Sequence, residues 1–565
     1  MILQRLRAVL REPRPLGRSL PNNELQSRPC MLPQNVARPF WRIMVFILGV
    51  VAVEMAGVNA YGQPPDEVVT FEIAGFVVEG NTLLPMDDIE KVLLPYTGPQ
   101  KTAEDVERAR NALENIYHEA GFPTVLVNIP EQTVEEGVVE LGVIESQIRK
   151  VRVVGNRYFT KESILGDLPS FRPGEILYIP KVEEELNKVN RNTDLEIFPL
   201  LSPGKELGTI DVELKVKDHL PVHGSLELNN RSTWDTTDLR LNAMVSYDNL
   251  WQREHSISAQ YQTSPEDTEE VQAVAGSYVL PTPWNDEHIL VLYGIWSDSD
   301  TAFGTGFQVI GKGKIFGTRY VLPLPPNESY AHNLTVGLDY KDFDEDLSFE
   351  TEEALATPIT YLPLSFSYSG SVPDGWGLSQ FSAGLNMAFR GLVTDSREFE
   401  DKRYGARGNY LYATVGVERI QTIPAGMSLL VGVDGQVASQ PLISNEQYTA
   451  GGMDSVRGYK ENEEIGDDAI HGTAELSAPN LLGYLGLNDA FNLTPYVFYD
   501  AAALRIKEAL PDQDDSTTIQ GTGGGIRGFL FRFLEYEVDW AMALRDTDRT
   551  EAGDTRVHFK VKFQF

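Results

Sequence analysis

What most limits the possible folds of this chain is its last 346 residues. From Leu220 to Phe565 the sequence runs in segments of roughly nine to thirteen residues that alternate apolar and polar side chains, and no long helical pattern interrupts them. Successive side chains of a strand point to opposite faces, so this alternation makes sheet with one apolar face. In the final segment, TRVHFKVKFQF, Val557, Phe559, Val561, Phe563 and Phe565 share one face, while His558, Lys560, Lys562 and Gln564 share the other. In water that apolar face needs a partner sheet, and the run is very long for a single sandwich. A barrel closed in lipid pairs every backbone group and needs no partner.

The segments predict sixteen strands, from 221–231 through 522–530 and 534–545 to 556–565. Their connections alternate between short (TSPEDTE) and long (VTDSREFEDKRYGARG), as expected of a transmembrane antiparallel β-barrel with short periplasmic turns and long outer loops. Trp251, Trp284, Tyr496 and Phe565 fall near strand ends and are expected in an interfacial aromatic belt.

Residues 71–219 have a different texture. FEIAGFVVEGNTLLPMDDIEKVLLPY reads as a strand, a Gly-Asn turn and an amphipathic helix from Met86. A longer helix follows, with Val106, Ala109, Leu113 and Ile116 at helical spacing and Thr102 with Asp105 as its capping box. Residues 148–219 repeat the plan. IRKVRVVGNRYFTKESILGDL matches the first copy, and Gly155-Asn156 stands 75 residues after Gly80-Asn81. The expected division is 71–147 and 148–219 for two α/β units and 220–565 for the barrel. Neither copy carries a metal cluster, a phosphate loop or a nucleophile motif. As spacers they would only set distance; as docking modules their strand edges could take a client strand.

Residues 1–60 hold eight arginines, then the short apolar run IMVFILGVVAV, then small residues near Val58 and Ala60. This reads as a secretory signal with a basic extension, too short to span a bilayer; translation from Met31 or Met44 would shorten the extension, and a single membrane anchor is the alternative. Removing it takes away Cys30, the only cysteine, and leaves a chain still more acidic than the full-length net charge of -34. No disulfide framework is available, and nucleic acid is a poor partner for such a chain. The eight histidines show no metal-ligand spacing, so no enzyme, metal or cofactor is expected.

One loop stands out. In GGMDSVRGYK an arginine, Arg457, sits between Val456 and a Gly-aromatic pair, Gly458-Tyr459, whereas surface loops are ordinarily just polar.

These features together resemble two-partner secretion transporters, the hemolysin-activator and filamentous-adhesin exporters of the POTRA-barrel superfamily. SVRGYKE at 455–461 resembles that family's loop-six signature, IFGTRYVLPL at 315–324 its sixth strand, and YVFYDAA at 496–502 its thirteenth strand, which ends in Asp. The resemblance implies that the loop folds into the lumen and that Arg457 meets Asp500 on the inner wall, with Phe498 on the same face. It implies an insertion signal at Phe559, Phe563 and Phe565, an outer-membrane location, and two POTRA domains in the periplasm. The implied partners are a secreted client encoded nearby, the barrel assembly machinery, periplasmic chaperones and outer-membrane lipid. A factor that assembles or inserts outer-membrane proteins is the alternative reading. Two positions depart from the pattern. Ala502 stands where relatives commonly have Gly, and only about ten residues separate Ala60 from Phe71, too few for the plug helix that many such transporters carry there.

Overall fold

The structure is a computed structural model. It describes residues 69–565 apart from isolated positions and short stretches, the longest being 303–307, 326–329 and 348–354. The expected signal segment lies outside the described residues. The described chain divides into two compact units, one ending at Pro221 and the other Val222–Phe565.

The first unit contains the repeated plan. Its first half has β1 (Gly75–Glu79), α1 (Met86–Leu93), α2 (Ala103–Glu119), β2 (Val125–Asn128) and β3 (Val138–Glu145). β3 pairs in parallel with β1 and antiparallel with β2. Its second half has β4 (Gln147–Val154), α3 (Lys161–Gly166), α4 (Ile179–Val189), β5 (Leu195–Pro203) and β6 (Thr209–Asp218), with the same pairing pattern. α2 buries Val106, Ala109, Leu113 and Tyr117. At its start the Thr102 amide donates to Asp105 Oδ2 at 2.9 Å, and this bond with that from the Thr102 hydroxyl holds the Asp105 carboxyl below its ordinary range.

The Gly-Asn pairs show why the repeat has the residues it has. Gly80 has φ +86°, and a Cβ there would lie 2.3 Å from the carbonyl oxygen of Val143; Gly155 has φ +95°, and its Cβ would lie 2.3 Å from that of Val216. Glycine alone fits both the conformation and the approach. Asn81 Nδ2 then donates to the carbonyl of Leu84 at 2.9 Å, and Asn156 Nδ2 to that of Phe159 at 2.8 Å. A carboxylate at the end of the last strand closes each turn. Glu145 accepts the amides of Thr82 and Leu83, and Asp218 Oδ2 accepts those of Arg157, Tyr158 and Phe159.

Only Ser146, 3% exposed, separates β3 from β4. The first N–H of α4, on Ile179, has no side-chain cap and donates instead to the carbonyl of Gly121 at the end of α2, at 2.9 Å. Phe122 packs on Tyr178 with ring centroids 5.1 Å apart. The two halves therefore share a helix cap and an aromatic contact as well as a linker.

The second unit is a closed antiparallel barrel. Its first half is β7 (Val222–Asn229), β8 (Arg240–Leu250), β9 (His255–Thr263), β10 (Gln272–Thr282), β11 (Asn285–Ser297), β12 (Gly313–Pro323), β13 (Ala331–Phe343) and β14, which runs Ile359–Tyr361 and Pro363–Asp374 with a break at Leu362. Its second half is β15 (Gly377–Ala388), β16 (Leu411–Ile423), β17 (Met427–Ala438), β18 (Asp468–Ser477), β19 (Thr494–Arg505), β20 (Ser516–Leu530), β21 (Leu534–Ala543) and β22 (Thr555–Gln564). Counting β14 once gives sixteen strands. One helix, α5 (Ser396–Lys402), sits in the connection between β15 and β16 and had no counterpart in the sequence reading.

The two faces of this barrel differ as a bilayer requires. On β16 and β17 the outward side chains are Val415, Val417, Val431, Val433 and Val437, between 42% and 65% exposed, while Glu418, Asp434 and Gln436 point inward and are buried. A ladder of exposed valines is costly in water and natural in lipid. The ring closes where β22 meets β7, Lys560 opposite Asn229 and Gln564 opposite Ser225. The ladder then continues on a side chain. Asn230 Nδ2 donates to Val557 O at 2.7 Å, and Asn230 Oδ1 accepts the Phe559 amide at 2.8 Å.

Candidate functional site

Between Ala438 and Asp468 the chain leaves β17, turns back into the barrel and returns to β18. Tyr448–Ala450 pairs with Glu464–Gly466, so the excursion is a narrow ribbon with residues 451–463 at its tip. Gly451, Gly452 and Gly458 all have positive φ. At Gly458, with φ +105°, a Cβ would lie 2.9 Å from the amide nitrogen of Ala543 on β21, so the tip presses backbone to backbone against the wall.

Arg457 is fully buried there. Its Nε lies 2.5 Å from Asp500 Oδ2 and its Nη2 2.8 Å from Asp500 Oδ1, a two-pronged charge-assisted contact. The Arg457 amide also donates to Asp500 Oδ2 at 3.3 Å. Nη1 reaches Glu475 Oε2 at 3.3 Å and stands 3.6 Å from Asp539 Oδ2. The guanidinium lies over the ring of Phe498, 3.1 Å from its centroid. Thr473 donates its hydroxyl to Asp500 Oδ1 at 2.7 Å, which satisfies the remaining lone pairs of the carboxylate. Asp500 and Phe498 lie on β19 two residues apart and both are buried, whereas Tyr499 between them is 45% exposed on the lipid side.

The neighbouring motif residues fix the tip from other strands. The Gly458 amide donates to His558 Nε2 on β22 at 3.1 Å. The Tyr459 hydroxyl lies 3.0 Å from the carbonyl of Gln520 and 2.9 Å from that of Arg545. Val456 and Tyr459 are fully buried against Ala502, Leu504 and Ile519. Ala502, the position that departs from the resembled pattern, thus forms part of the tip's apolar seat.

The wall is shaped to receive the tip. On β20, in GTGGGIRG, alternate glycines face inward: a Cβ at Gly521 would meet the carbonyl oxygen of Arg457, one at Gly523 would lie 2.8 Å from Phe498 Cζ, and one at Gly525 2.8 Å from Tyr496 Cζ. This glycine run was read from sequence only as part of a strand beginning at 522; the strand begins at Ser516.

The expectation for Tyr496 is corrected. It does not lie in the lipid belt but faces the lumen, 4% exposed, with its hydroxyl on Glu537 at 3.1 Å and on Asp539. Its strand position was right, but the alternation that turns Asp500 inward turns Tyr496, four residues earlier, inward as well. Trp251, Trp284 and Phe565 are each more than two-thirds exposed.

Two acidic residues close to Arg457 in sequence, Glu461 and Glu463, have other partners. Glu461 pairs with Arg231, Nε to Oε1 at 3.0 Å, and Arg231 also holds Asp454 at 2.7 Å. Glu463 accepts from Trp234, Thr547 and Thr550. Glu475, Asp539, Thr473 and His558 were missed. Each lies inward on its strand, and only the sheet register brings them to the motif.

At the C-terminus, Phe563 packs on Phe533 with centroids 5.6 Å apart, Phe559 sits half-buried, and Phe565 exchanges backbone hydrogen bonds with Gly224 across the seam.

The POTRA domain model of the ShlB type matches residues 71–146, and the model described as haemolysin secretion/activation protein ShlB/FhaC/HecB matches residues 208–528. The outer membrane transporter CdiB of Dickeya dadantii (strain 3937) is 24% identical over 469 residues, covering 79% of this chain and 78% of the relative. The heme/hemopexin transporter protein HuxB of Haemophilus influenzae (strain ATCC 51907 / DSM 11121 / KW20 / Rd) is 17% identical over 431 residues, 73% of this chain and 72% of its own. Among solved structures, CdiB from Escherichia coli has the same fold with a TM-score of 0.60 at 18% identity, covering 90% of this chain and 93% of that one.

Proposed function

The chain belongs to the haemolysin secretion/activation family of outer-membrane transporters, and we propose that it exports one large partner protein, threaded unfolded through the barrel, after that partner docks on residues 71–219 in the periplasm. The observation that carries this reading is the ribbon 443–468, folded into the barrel and held by Arg457 on the inner wall. A barrel that only admitted small solutes would need neither this ribbon nor two α/β units ahead of it.

Residues 148–219 act in this scheme as a second POTRA domain. Their support is the shared Gly-Asn turn, the shared carboxylate closure and the shared sheet order. Val456, Arg457, Gly458 and Tyr459 form the lumenal motif, and Phe498 and Asp500 are its inner-wall partners. Phe559, Phe563 and Phe565 serve as the signal read by the barrel assembly machinery, with periplasmic chaperones holding the chain until then. No catalytic step is involved: the client's folding outside the cell biases its movement outward.

The experiment is to delete this transporter and measure, in the culture supernatant, the large exported protein encoded beside it. Loss on deletion and return on complementation support the reading. Unchanged export sinks it.

A further inference from the structure

The ribbon has a second anchorage, on a different arc of the wall from the first. Glu446, eleven residues before Arg457 and 5% exposed, accepts Lys341 Nζ of β13 at 2.7 Å, the Tyr361 hydroxyl of β14 at 2.7 Å and the Tyr412 hydroxyl of β16 at 2.9 Å. Its carbonyl accepts Gln436 Nε2 of β17 at 3.2 Å. In the ring of sixteen, the strands that hold the Glu446 carboxylate, β13, β14 and β16, are the seventh, eighth and tenth, whereas β18, β19 and β21, which face Arg457 with Glu475, Asp500 and Asp539, are the twelfth, thirteenth and fifteenth. The two anchors therefore occupy different arcs of the wall. Eleven residues can reach about 35–40 Å when extended, so the chain between Glu446 and Arg457 can span from one arc to the other. Its root is tied beside this anchor: Gln436 Nε2 also reaches the Asp467 carbonyl at 3.3 Å, and the Asp467 side chain, fully buried, takes Arg403 in a two-pronged contact at 2.5 and 2.7 Å, along with the amides of Leu442 and Lys507. Arg403 follows α5, so the root and that outer loop are joined.

We propose that Glu446 is the releasable anchor: the ribbon lifts from the β13–β16 wall, together with the α5 loop, while the Arg457 end stays seated as the hinge. The proposal rests on the transporter reading above and adds which side of the lumen opens.

Two observations set the direction. The ends are unequal. At the Arg457 end a guanidinium meets three carboxylates and an aromatic ring, with Gly458 and Gly521 in backbone contact. At the Glu446 end a single carboxylate meets one cation and neutral hydroxyls from three separate strands, all groups that water can replace once the lumen is wet. The walls are also unequal. Beneath the Glu446 end, Ser365, Ser367 and Ser369 of β14 and Ser382 of β15 face the lumen and stay partly accessible. Beneath the tip, Glu475, Asp500 and Asp539 are buried completely or nearly so. An extended polypeptide moving past these small hydroxyls meets neutral groups there.

The test is single-channel recording of the purified full-length protein in planar lipid bilayers, with potassium chloride as the only probe, so it needs no client. Glu446→Gln and Lys341→Met should each raise the open time about tenfold, while the protease pattern of the 451–463 tip stays as in the wild type. A Lys341→Cys/Glu446→Cys pair, built with Cys30→Ser and joined by a bifunctional thiol cross-linker whose attachment is confirmed by mass spectrometry, should silence openings, while either single cysteine treated alike should not. Heat-modifiable gel mobility confirms that each variant holds a folded barrel. The proposal is overturned if the cross-linked pair opens as freely as the unlinked one, or if Asp500→Asn opens the channel more than Glu446→Gln. Failure of export with normal gating would count against the client reading alone.

Discussion

Gly521 on β20 faces the carbonyl oxygen of Arg457 so closely that a Cβ would lie 1.8 Å from it. The charged contact between Arg457 and Asp500 therefore depends on a residue that carries no side chain at all. Gly521→Ala leaves every charge in place and removes only the space. It should unseat the tip at a cost of about 1–3 kcal/mol, seen as new protease cleavage within 451–463 and reduced export, with heat-modifiable mobility unchanged. A Gly521→Ala protein with wild-type protection would show that the wall yields.

Arg457→Ala strands Asp500 without its cation, while Glu475 keeps Arg527 and Asp539 keeps the Tyr496 hydroxyl. Breaking a buried pair in this way costs about 3–5 kcal/mol. Lysine at 457 keeps the charge and loses the two prongs, so partial rescue is expected. Asp500→Asn should cause a similar loss, and the double variant should lose less than the sum of the singles. Export assayed across the four proteins gives the coupling; strict additivity would mean that the two residues act independently.

The closure of the second α/β unit is sensitive to acid. Burial works to raise the Asp218 carboxyl, but the amides of Phe159, Arg157 and Tyr158 outweigh it and hold the group below its ordinary range. A depressed folded-state value adds stability above the unfolded carboxylate range, near pH 4, and that stability disappears as pH falls through the folded value. Asp218→Asn should remove the acid-dependent part and lower stability at neutral pH by about 1–3 kcal/mol. Hydrogen exchange at residues 157–159 in the full chain is the readout, and equal protection in both proteins at neutral pH would contradict it.

Topology can be mapped with thiols, because Cys30 is the only cysteine. In a Cys30→Ser background, a membrane-impermeant reagent on intact cells should label Asp395→Cys, exposed at the start of α5, and should not label Glu162→Cys, exposed on α3. The reverse pattern would invert the barrel.

Much of this was legible because strand periodicity is local. The last strand could be read from five alternating apolar residues, and the Gly-Asn turns announced the repeat because only glycine tolerates their φ. Arg457 was conspicuous by its neighbours, and the family's signature named Asp500. The rest of the site was hidden because it is assembled by register. Glu475, Asp539 and His558 come from three different strands, and Glu446 meets Lys341 from 105 residues away. Tyr496 was misplaced because its strand position was read without following the side-chain alternation through to Asp500. The interruption at Leu362 and helix α5 carry no periodic signal long enough to register.

The seam has a consequence in time. The first strand of the ring finds its second neighbour only in β22, and the carboxamide of Asn230 waits for Val557 and Phe559, more than three hundred residues downstream. Contacts so remote in sequence form slowly, because the intervening chain must be organised first. Until the last ten residues dock, β7 presents an unpaired edge open to any other strand. Sequence separation therefore makes closure the final event. A chain cut short near Arg549 could hold most of its hairpins and still have no closed state.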